Sequence, residues 1–287
     1  MSLSAKDHHV QFYVRDIKTF LQCVQLFKSE SAVQITLSVR EKSITVFSLI
    51  QSNIAVLQIV FVQGKPDVSI LIDIRNPQNQ ATVQQEDIIL HLDTKTFIKA
   101  LSEIVRFESA YCIIQPSKNR ELVICTAMDK NNREVVCHRI HCINHVVSSE
   151  NSINSIDRPD CKNSVTIYST GKQLSEYFAT GEDTTISTEP NHRRLVWTVN
   201  DTLLNTRRFH YLTTQDCMPS HITQFQQTYI KSIMLLIRHI FSFMSTKICA
   251  VALLTDTPIH IFNTNITGVQ LDFLAGFKDD DVIDNLN

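Results

Sequence analysis

Glycine is scarce in this chain, with five in 287 residues, and its scarcity removes whole classes of chemistry. There is no GxxxxGK[ST] phosphate loop: Gly171-Lys172 is followed by Gln173 and has Thr166 where the first glycine should stand. GxGxxG and GxSxG are absent too. Nucleotide hydrolysis, dinucleotide binding and α/β-hydrolase chemistry therefore lose their usual entry points. CxxC is also missing. The eight cysteines (Cys23, Cys112, Cys125, Cys137, Cys142, Cys161, Cys217 and Cys249) lie mostly in apolar runs, where a free thiol acts as a small buried hydrophobe. With no signal peptide ahead of them, a reducing intracellular compartment is expected. No window reaches the ~20 apolar residues of a membrane span. The nearest, 230–243, is broken by Lys231 and Arg238, so no membrane partner is expected.

An excess of one charge is lacking as well. Lys and Arg number 27 against 29 Asp and Glu, so bulk charge advertises neither nucleic acid nor membrane. The placement is uneven, because Asp279, Asp280, Asp281 and Asp284 fall in the last nine residues and leave the body slightly basic.

One stretch does concentrate chemistry. Residues 133–147, REVVCHRIHCINHVV, hold Cys137, His138, His141, Cys142 and His145. As a helix, Cys137, His141 and His145 would share a face and a zinc site would be credible. As a strand, they stand ~13 Å apart at each step. Ligand atoms around one zinc must lie within about 4 Å of each other. The β-branched residues and the preceding turn signal Asp129-Lys130-Asn131-Asn132 favour a strand in a hairpin with 122–127. No metal and no cofactor are expected.

The periodicities repeat. A short strand at 10–14 precedes a helix capped by Asp16, with Ile17, Phe20, Leu21, Val24 and Phe27 at helical spacing. Strands are expected at 33–39, 43–49, 54–62 and 68–74. A polar loop (76–86) and a strand at 88–92 then lead to a second helix capped by Asp93 or Thr94, with Phe97, Ile98, Leu101, Ile104 and Val105 inside. Strands at 110–115, 122–127 and 135–143 close the first half. Connector chemistry fills 144–163, with Ser148-Ser149-Glu150-Asn151-Ser152 and Arg158-Pro159-Asp160. The order then restarts: strand 165–168, helix 171–179, strands 184–188, 195–199 and 207–212, strand 222–225, helix 229–244, and strands 247–254, 258–263 and 269–274. Two similar α+β halves joined by a long connector is a specific architecture.

This order, covering nearly the whole chain, resembles the sliding clamps of the proliferating cell nuclear antigen superfamily. The end, VQLDFLAGFKDDD, resembles their closing strand, with aromatic-Leu-Ala at Phe273-Leu274-Ala275 before an acidic tail. Thr255-Asp256-Thr257-Pro258-Ile259 is similar to the turn before their penultimate strand. Gly276 stands where the family usually has proline, the 76–86 loop looks like an insertion, and the family's strongly acidic composition is missing. A divergent member is implied, a viral processivity factor or a checkpoint-clamp subunit. The resemblance implies two similar clamp domains, each with antiparallel sheets and two helices: 1–143 and 164–277, joined by the connector 144–163 and followed by the tail 278–287.

The resemblance further implies no enzyme, but a ring-forming oligomer (a trimer) around double-stranded DNA, located in the nucleus or a viral replication compartment. Phosphate contacts without base readout would come from the helix faces: Lys18, Lys95, Lys99, Lys172, Lys231 and Arg238. An amphipathic helix also carries lysines simply to solvate its polar face. No acidic residue lies between Met218 and Leu254, whereas Glu103 and Glu176 dilute the pattern. DNA polymerase and other replication or repair proteins would dock short peptide motifs on Val39, Val46, His145, Val146, Val147, Leu274 and Ala275, with ordinary core as the other role for Val46. A clamp loader is a further partner. Subunits would meet through the edge strand with Val135, Cys137, Arg139 and His141 against one with Arg207, Phe209 and Tyr211. Rival readings are a monomeric or dimeric herpesvirus-like processivity subunit, a checkpoint-clamp subunit acting in a hetero-ring, a non-DNA interaction scaffold, and a metal hydrolase built on the His/Cys cluster.

Overall fold

A computed structural model describes residues 10–38, 42–50, 55–63, 70–74, 87–115, 122–129, 131, 133–148, 165–178, 183–189, 194–201, 206–213, 226–253, 259–263 and 269–276. The expected turn at 255–258, most of the connector, the 76–86 loop, the acidic tail, Val39, Cys161 and Cys217 lie outside them.

The chain divides into two compact units. The first comprises Met1–Ile50, Gln58–Ser155 and Ile266–Gln270, and the second Gln51–Leu57, Ile156–Asn265 and Leu271–Asn287. In chain order the first half forms β1 (Val10–Val14), α1 (Ile17–Gln25), β2 (Ala32–Ser38), β3 (Ser43–Ile50), β4 (Ala55–Val62), β5 (Ile70–Ile74), β6 (Asp87–Asp93), α2 (Thr94–Ile104), β7 (Ser109–Gln115), β8 (Leu122–Met128), β9 (Glu134–His141) and β10 (Asn144–Ser148). The second half forms β11 (Val165–Thr170), α3 (Gly171–Tyr177), β12 (Thr184–Glu189), β13 (Arg194–Asp201), β14 (Thr206–Thr213), β15 (Gln226–Tyr229), α4 (Lys231–Phe243), β16 (Ile248–Leu253), β17 (Ile259–Asn263) and β18 (Val269–Ala275).

In the first unit β5-β1-β7-β8-β9 form one sheet, and β10-β6-β2-β3-β4 run side by side in another. The alternation of β2 and β6 sends Val33, Ile35, Leu37, Ile88, Leu90 and Leu92 to one fully buried face. Against such faces lie the apolar stripes of α1 (Ile17, Phe20, Leu21, Val24) and α2 (Phe97, Ala100, Leu101, Ile104). Phe20 joins them, its ring 5.9 Å from Phe97 on α2 and 5.2 Å from Phe61 on β4, edge-on to each. Fully burying one such ring contributes about 1.5–3 kcal/mol. The strand reading of the Cys/His stretch holds: β9 pairs antiparallel with β8, placing Cys137 opposite Thr126 and His138 opposite Cys125. A bulge at Ala127/Met128 leaves Val135 unpaired and about half exposed.

In the second unit β14-β13-β12-β15 form a four-stranded sheet, and β18-β17-β16-β11 run side by side. Here α3 and α4 pack through Phe178 and Phe241, ring centroids 5.2 Å apart. Their approach is close because position 171 has no side chain: a Cβ there would sit 2.4 Å from the Met244 carbonyl oxygen and 2.5 Å from that of Phe241. Backbone hydrogen bonds fix the contact, Gly171 N–H to Lys247 O and Lys172 N–H to Ser245 O, each 3.1 Å.

Some expected boundaries move. The helix expected from 229 starts at Lys231, because Tyr229 pairs with Thr184 in β15 and Ile230 keeps an extended conformation (φ −70°, ψ 152°). Residues 144–148, expected as connector, form β10, an antiparallel partner of β6.

Candidate nucleic-acid interface and subunit edges

Each unit turns the polar faces of two helices away from its core. Three of the four helices begin on a cap from the residue just before them. Asp16 accepts from Thr19 N–H (3.1 Å), Asp93 from Thr96 N–H (2.7 Å) and Thr170 Oγ1 from Gln173 N–H (3.4 Å). Hydrogen bonds from the Thr96 side chain and backbone hold the Asp93 carboxyl below its ordinary range. Helix α4 has no such cap, since Ile230 precedes it, and Asp183 from the start of β12 accepts the Lys231 N–H instead (2.7 Å).

The cations expected to meet phosphate all lie on exposed helix positions. On α1, Lys18 shares its exposed face with Gln22 and Gln25; on α2, Lys95 and Lys99 stand one turn apart beside Thr96. On α3, Lys172 and Gln173 are exposed. On α4, Lys231, Leu235, Arg238, His239 and Ser242 form the outward stripe. Six of the chain's 27 cations lie on these helices but only two of its 29 carboxylates, leaving 21 and 27 elsewhere. The helices thus carry +4 in a chain of net charge −2. The carboxylates that diluted the sequence pattern behave differently. Glu103 turns to β9, its Oε2 2.7 Å from His138 Nε2 but out of hydrogen-bond alignment. Glu176 stays exposed on α3. Sequence periodicity missed Arg106, exposed just past the end of α2, because it lies outside the helical stripe.

Among the described residues β9 pairs only with β8 and ends the five-stranded sheet, while β14 pairs only with β13 and ends the four-stranded one. Cys137 is half-buried, and Val135, Arg139 and His141 are exposed along β9. Arg207, Phe209 and Tyr211 sit opposite Asn200, Thr198 and Val196 of β13.

The residues proposed to dock peptides are less uniform. Val46 on β3 is fully buried opposite Ile35, which is the core role. His145, Val146 and Val147 sit on β10 opposite Leu90, Ile89 and Ile88. On β18, Leu274 is half-buried and Ala275 fully buried, opposite His260 and Ile259.

Nothing else among the described residues collects catalytic chemistry. No group of three His, Cys, Asp or Glu side chains is placed to hold a metal there. Cys112 and Cys125 face each other across β7 and β8 with sulfurs 3.8 Å apart; that contact and burial push the Cys112 thiol well up. Burial pushes Cys249 up to about 12, so neither is an activated nucleophile. The buried pair His260–Asp272 (3.2 Å) is sealed from solvent. No described helix is long and apolar enough to cross a membrane.

No protein-family model matches this sequence, and no curated protein does. Among solved structures, the crystal structure of PCNA from Thermococcus kodakaraensis superposes with a TM-score of 0.65, covering 94% of this chain and 100% of that one at 10% sequence identity. With its antiparallel sheets and few helices, this chain is an α+β protein with the PCNA-like clamp fold.

Proposed function

We propose that the protein is a DNA sliding clamp, a processivity factor that encircles duplex DNA and holds it through phosphate contacts. One observation carries the reading: the helices of a clamp fold bear six cations and two carboxylates in a chain that is otherwise acidic. Cations spaced along helix faces suit a sequence-independent grip, since phosphate contacts position a duplex without reading it. Such a protein catalyses no bond chemistry and needs no cofactor. In this reading β9 and β14 are the strands through which three subunits close a ring, by edge-strand addition. DNA polymerase and other replication or repair partners dock peptides beside β10 and β18, a clamp loader opens the ring, and the protein works in the nucleus or a viral replication compartment.

The test replaces Lys95, Lys99, Lys231 and Arg238 with alanine. Retention on duplex DNA should fall equally for unrelated sequences. The salt dependence should flatten by about 0.9 in the log–log slope for each phosphate no longer neutralised. Unchanged DNA retention and polymerase stimulation would remove the DNA-lined channel. Loss confined to particular sequences would mean base readout instead.

A further inference from the structure

A row of four side chains crosses the core face of the five-stranded sheet. Strand pairing sets Val14 opposite Cys112, Cys112 opposite Cys125, and Cys125 opposite His138, so all four share one face. Val14 and both cysteines are buried. His138, at the other end, is half-buried and lies 2.7 Å from Glu103 Oε2 on α2. Two sulfurs 3.8 Å apart thus meet between an apolar end and a polar end that solvent touches. Cys137, the next cysteine along β9, belongs to the opposite face, across from Thr126.

The backbone already suits a covalent bond. Directly opposed residues on antiparallel strands have Cα atoms about 4.5 or 5.5 Å apart, and a disulfide spans ~4.4–6.8 Å. Side-chain rotation alone has to bring the sulfurs from 3.8 Å to about 2.05 Å. Reacting atoms held about 3–3.5 Å apart gain a large effective molarity, and this pair starts just beyond that range. Contact with Cys125 and burial hold the Cys112 thiol well above its ordinary range, so Cys112 stays protonated. When the pair forms a thiolate, it is at Cys125, on the side of His138.

We propose that Cys112 and Cys125 are a reversible oxidation site, joined into a cross-strand disulfide by a peroxide. A small neutral oxidant enters at the His138 end. The Cys125 thiolate attacks one peroxide oxygen and the O–O bond breaks, leaving a sulfenic acid on Cys125. The departing hydroxide takes up the proton that Cys125 released and becomes water. The Cys112 sulfur then attacks the sulfenic sulfur, and the S–S bond forms as the S–O bond breaks. The second hydroxide takes the Cys112 proton and leaves as a second water. Each sulfur gives up one electron and the peroxide accepts both. A dithiol reverses the bond by exchange, so the reduced pair is the resting form in a reducing compartment. The row lies on the core face, away from the helix faces proposed to meet DNA, and the inference does not depend on that function.

The test treats the folded full chain with a few equivalents of hydrogen peroxide, alkylates it, and digests it with trypsin without reduction. Cleavage after Arg106, Lys118, Arg120 and Lys130 leaves Cys112 in 107–118 and Cys125 in 121–130, joined only by the new bond. That linked pair should be the main disulfide, and dithiothreitol should restore both thiols. In Cys112→Ala, dimedone should trap a sulfenic acid at Cys125; in Cys125→Ala it should trap none at Cys112. Melting of the oxidised chain should rise by roughly 5–10 °C, because the bond closes residues 112–125 into a loop. The site is overturned by a bond that forms only in urea-unfolded protein, by disulfides at other cysteines in its place, or by a melting temperature that falls on oxidation. A chain that forms the bond but does not retain DNA keeps this inference and loses the clamp reading. One that retains DNA without forming the bond does the opposite.

Discussion

Gly171→Ala should be among the most damaging single-methyl changes in the second unit. The added Cβ would lie 2.4 Å from Met244 O, 2.5 Å from Phe241 O and 2.7 Å from the Met244 carbonyl carbon. All three are backbone atoms at the end of α4, so no flexible side chain can swing away. Reaching an ordinary separation requires α3 and the end of α4 to move apart by about 1 Å, and overpacking of this kind costs typically 1–3 kcal/mol. The movement also strains two hydrogen bonds, Gly171 N–H to Lys247 O and Lys172 N–H to Ser245 O, each worth about 1 kcal/mol. Alanine's better helix propensity returns at most about 1 kcal/mol. The net loss is about 2–4 kcal/mol, a large part of the 5–15 kcal/mol that typically holds a domain. At about 2–4 °C per kcal/mol for units of this size, thermal melting should fall by roughly 5–15 °C. Urea unfolding should show a lowered midpoint with an unchanged slope. Lys172→Ala, one residue on and exposed, should stay within about 0.5 kcal/mol. A Gly171→Ala protein as stable as the parent would refute the close packing of α3 on α4.

Asp183→Ala leaves the first N–H of α4 without its acceptor and should cost about 0.5–2 kcal/mol, read by urea unfolding; Asp183→Asn should recover most of it, and an undiminished Ala variant would mean solvent serves as well. At Asp93 the folded carboxyl titrates below its ordinary value of 3.8, so its contribution is present above that value and lost as pH falls through the lower folded one. Relative to Asp93→Asn, the wild type should therefore lose stability between about pH 5 and pH 2 in acid-unfolding curves, and a constant difference across that range would contradict it.

The helices α1 and α2 were legible because their signals are local. Asp16 and Asp93 stand three residues before the N–H groups they accept, and the apolar stripes keep a 3.6 period. β9 was legible as a strand through its β-branched residues, although its two faces looked confused. Its structure resolves that mixture: Ile140 and His138 turn toward the unit's interior and Glu103, whereas Arg139 and His141 are exposed beside half-buried Cys137. Interactions between residues distant in sequence left no local trace. Asp183 caps a helix 48 positions later, and Gly171 is required by carbonyls some seventy residues away. The polar strand β15 escaped for another reason. Gln226-Gln227-Thr228 has no apolar alternation, and Gln227 is buried with its Oε1 accepting the Tyr229 hydroxyl at 2.6 Å. Val46 read as core before groove, and its neighbours bear out the core role, since an apolar residue on a strand looks the same in either place until they are known.

The positive character of the helix faces depends as much on where carboxylates are placed as on where cations are. Asp16, Asp93 and Asp183 each sit at a helix N-terminus, where the macrodipole and unpaired N–H groups favour an anion. Their charge is thereby held at helix ends, off the middle of the exposed faces. Glu103, the one carboxylate within α2, is drawn toward His138, and Glu176 alone remains exposed within a helix. Net charge is blind to this arrangement: at −2 it describes a chain with no preference for nucleic acid. A phosphate backbone approaching the helices samples the local field instead, since at physiological salt charges farther than about 8 Å are largely screened. Along α4 that field comes from the exposed Lys231 and Arg238, with no carboxylate within the helix itself and Asp183 held at its N-terminus. Under the proposed clamp function, α4 should dominate phosphate contact in the second unit and α2 in the first, where Lys95 and Lys99 stand one turn apart on the exposed face.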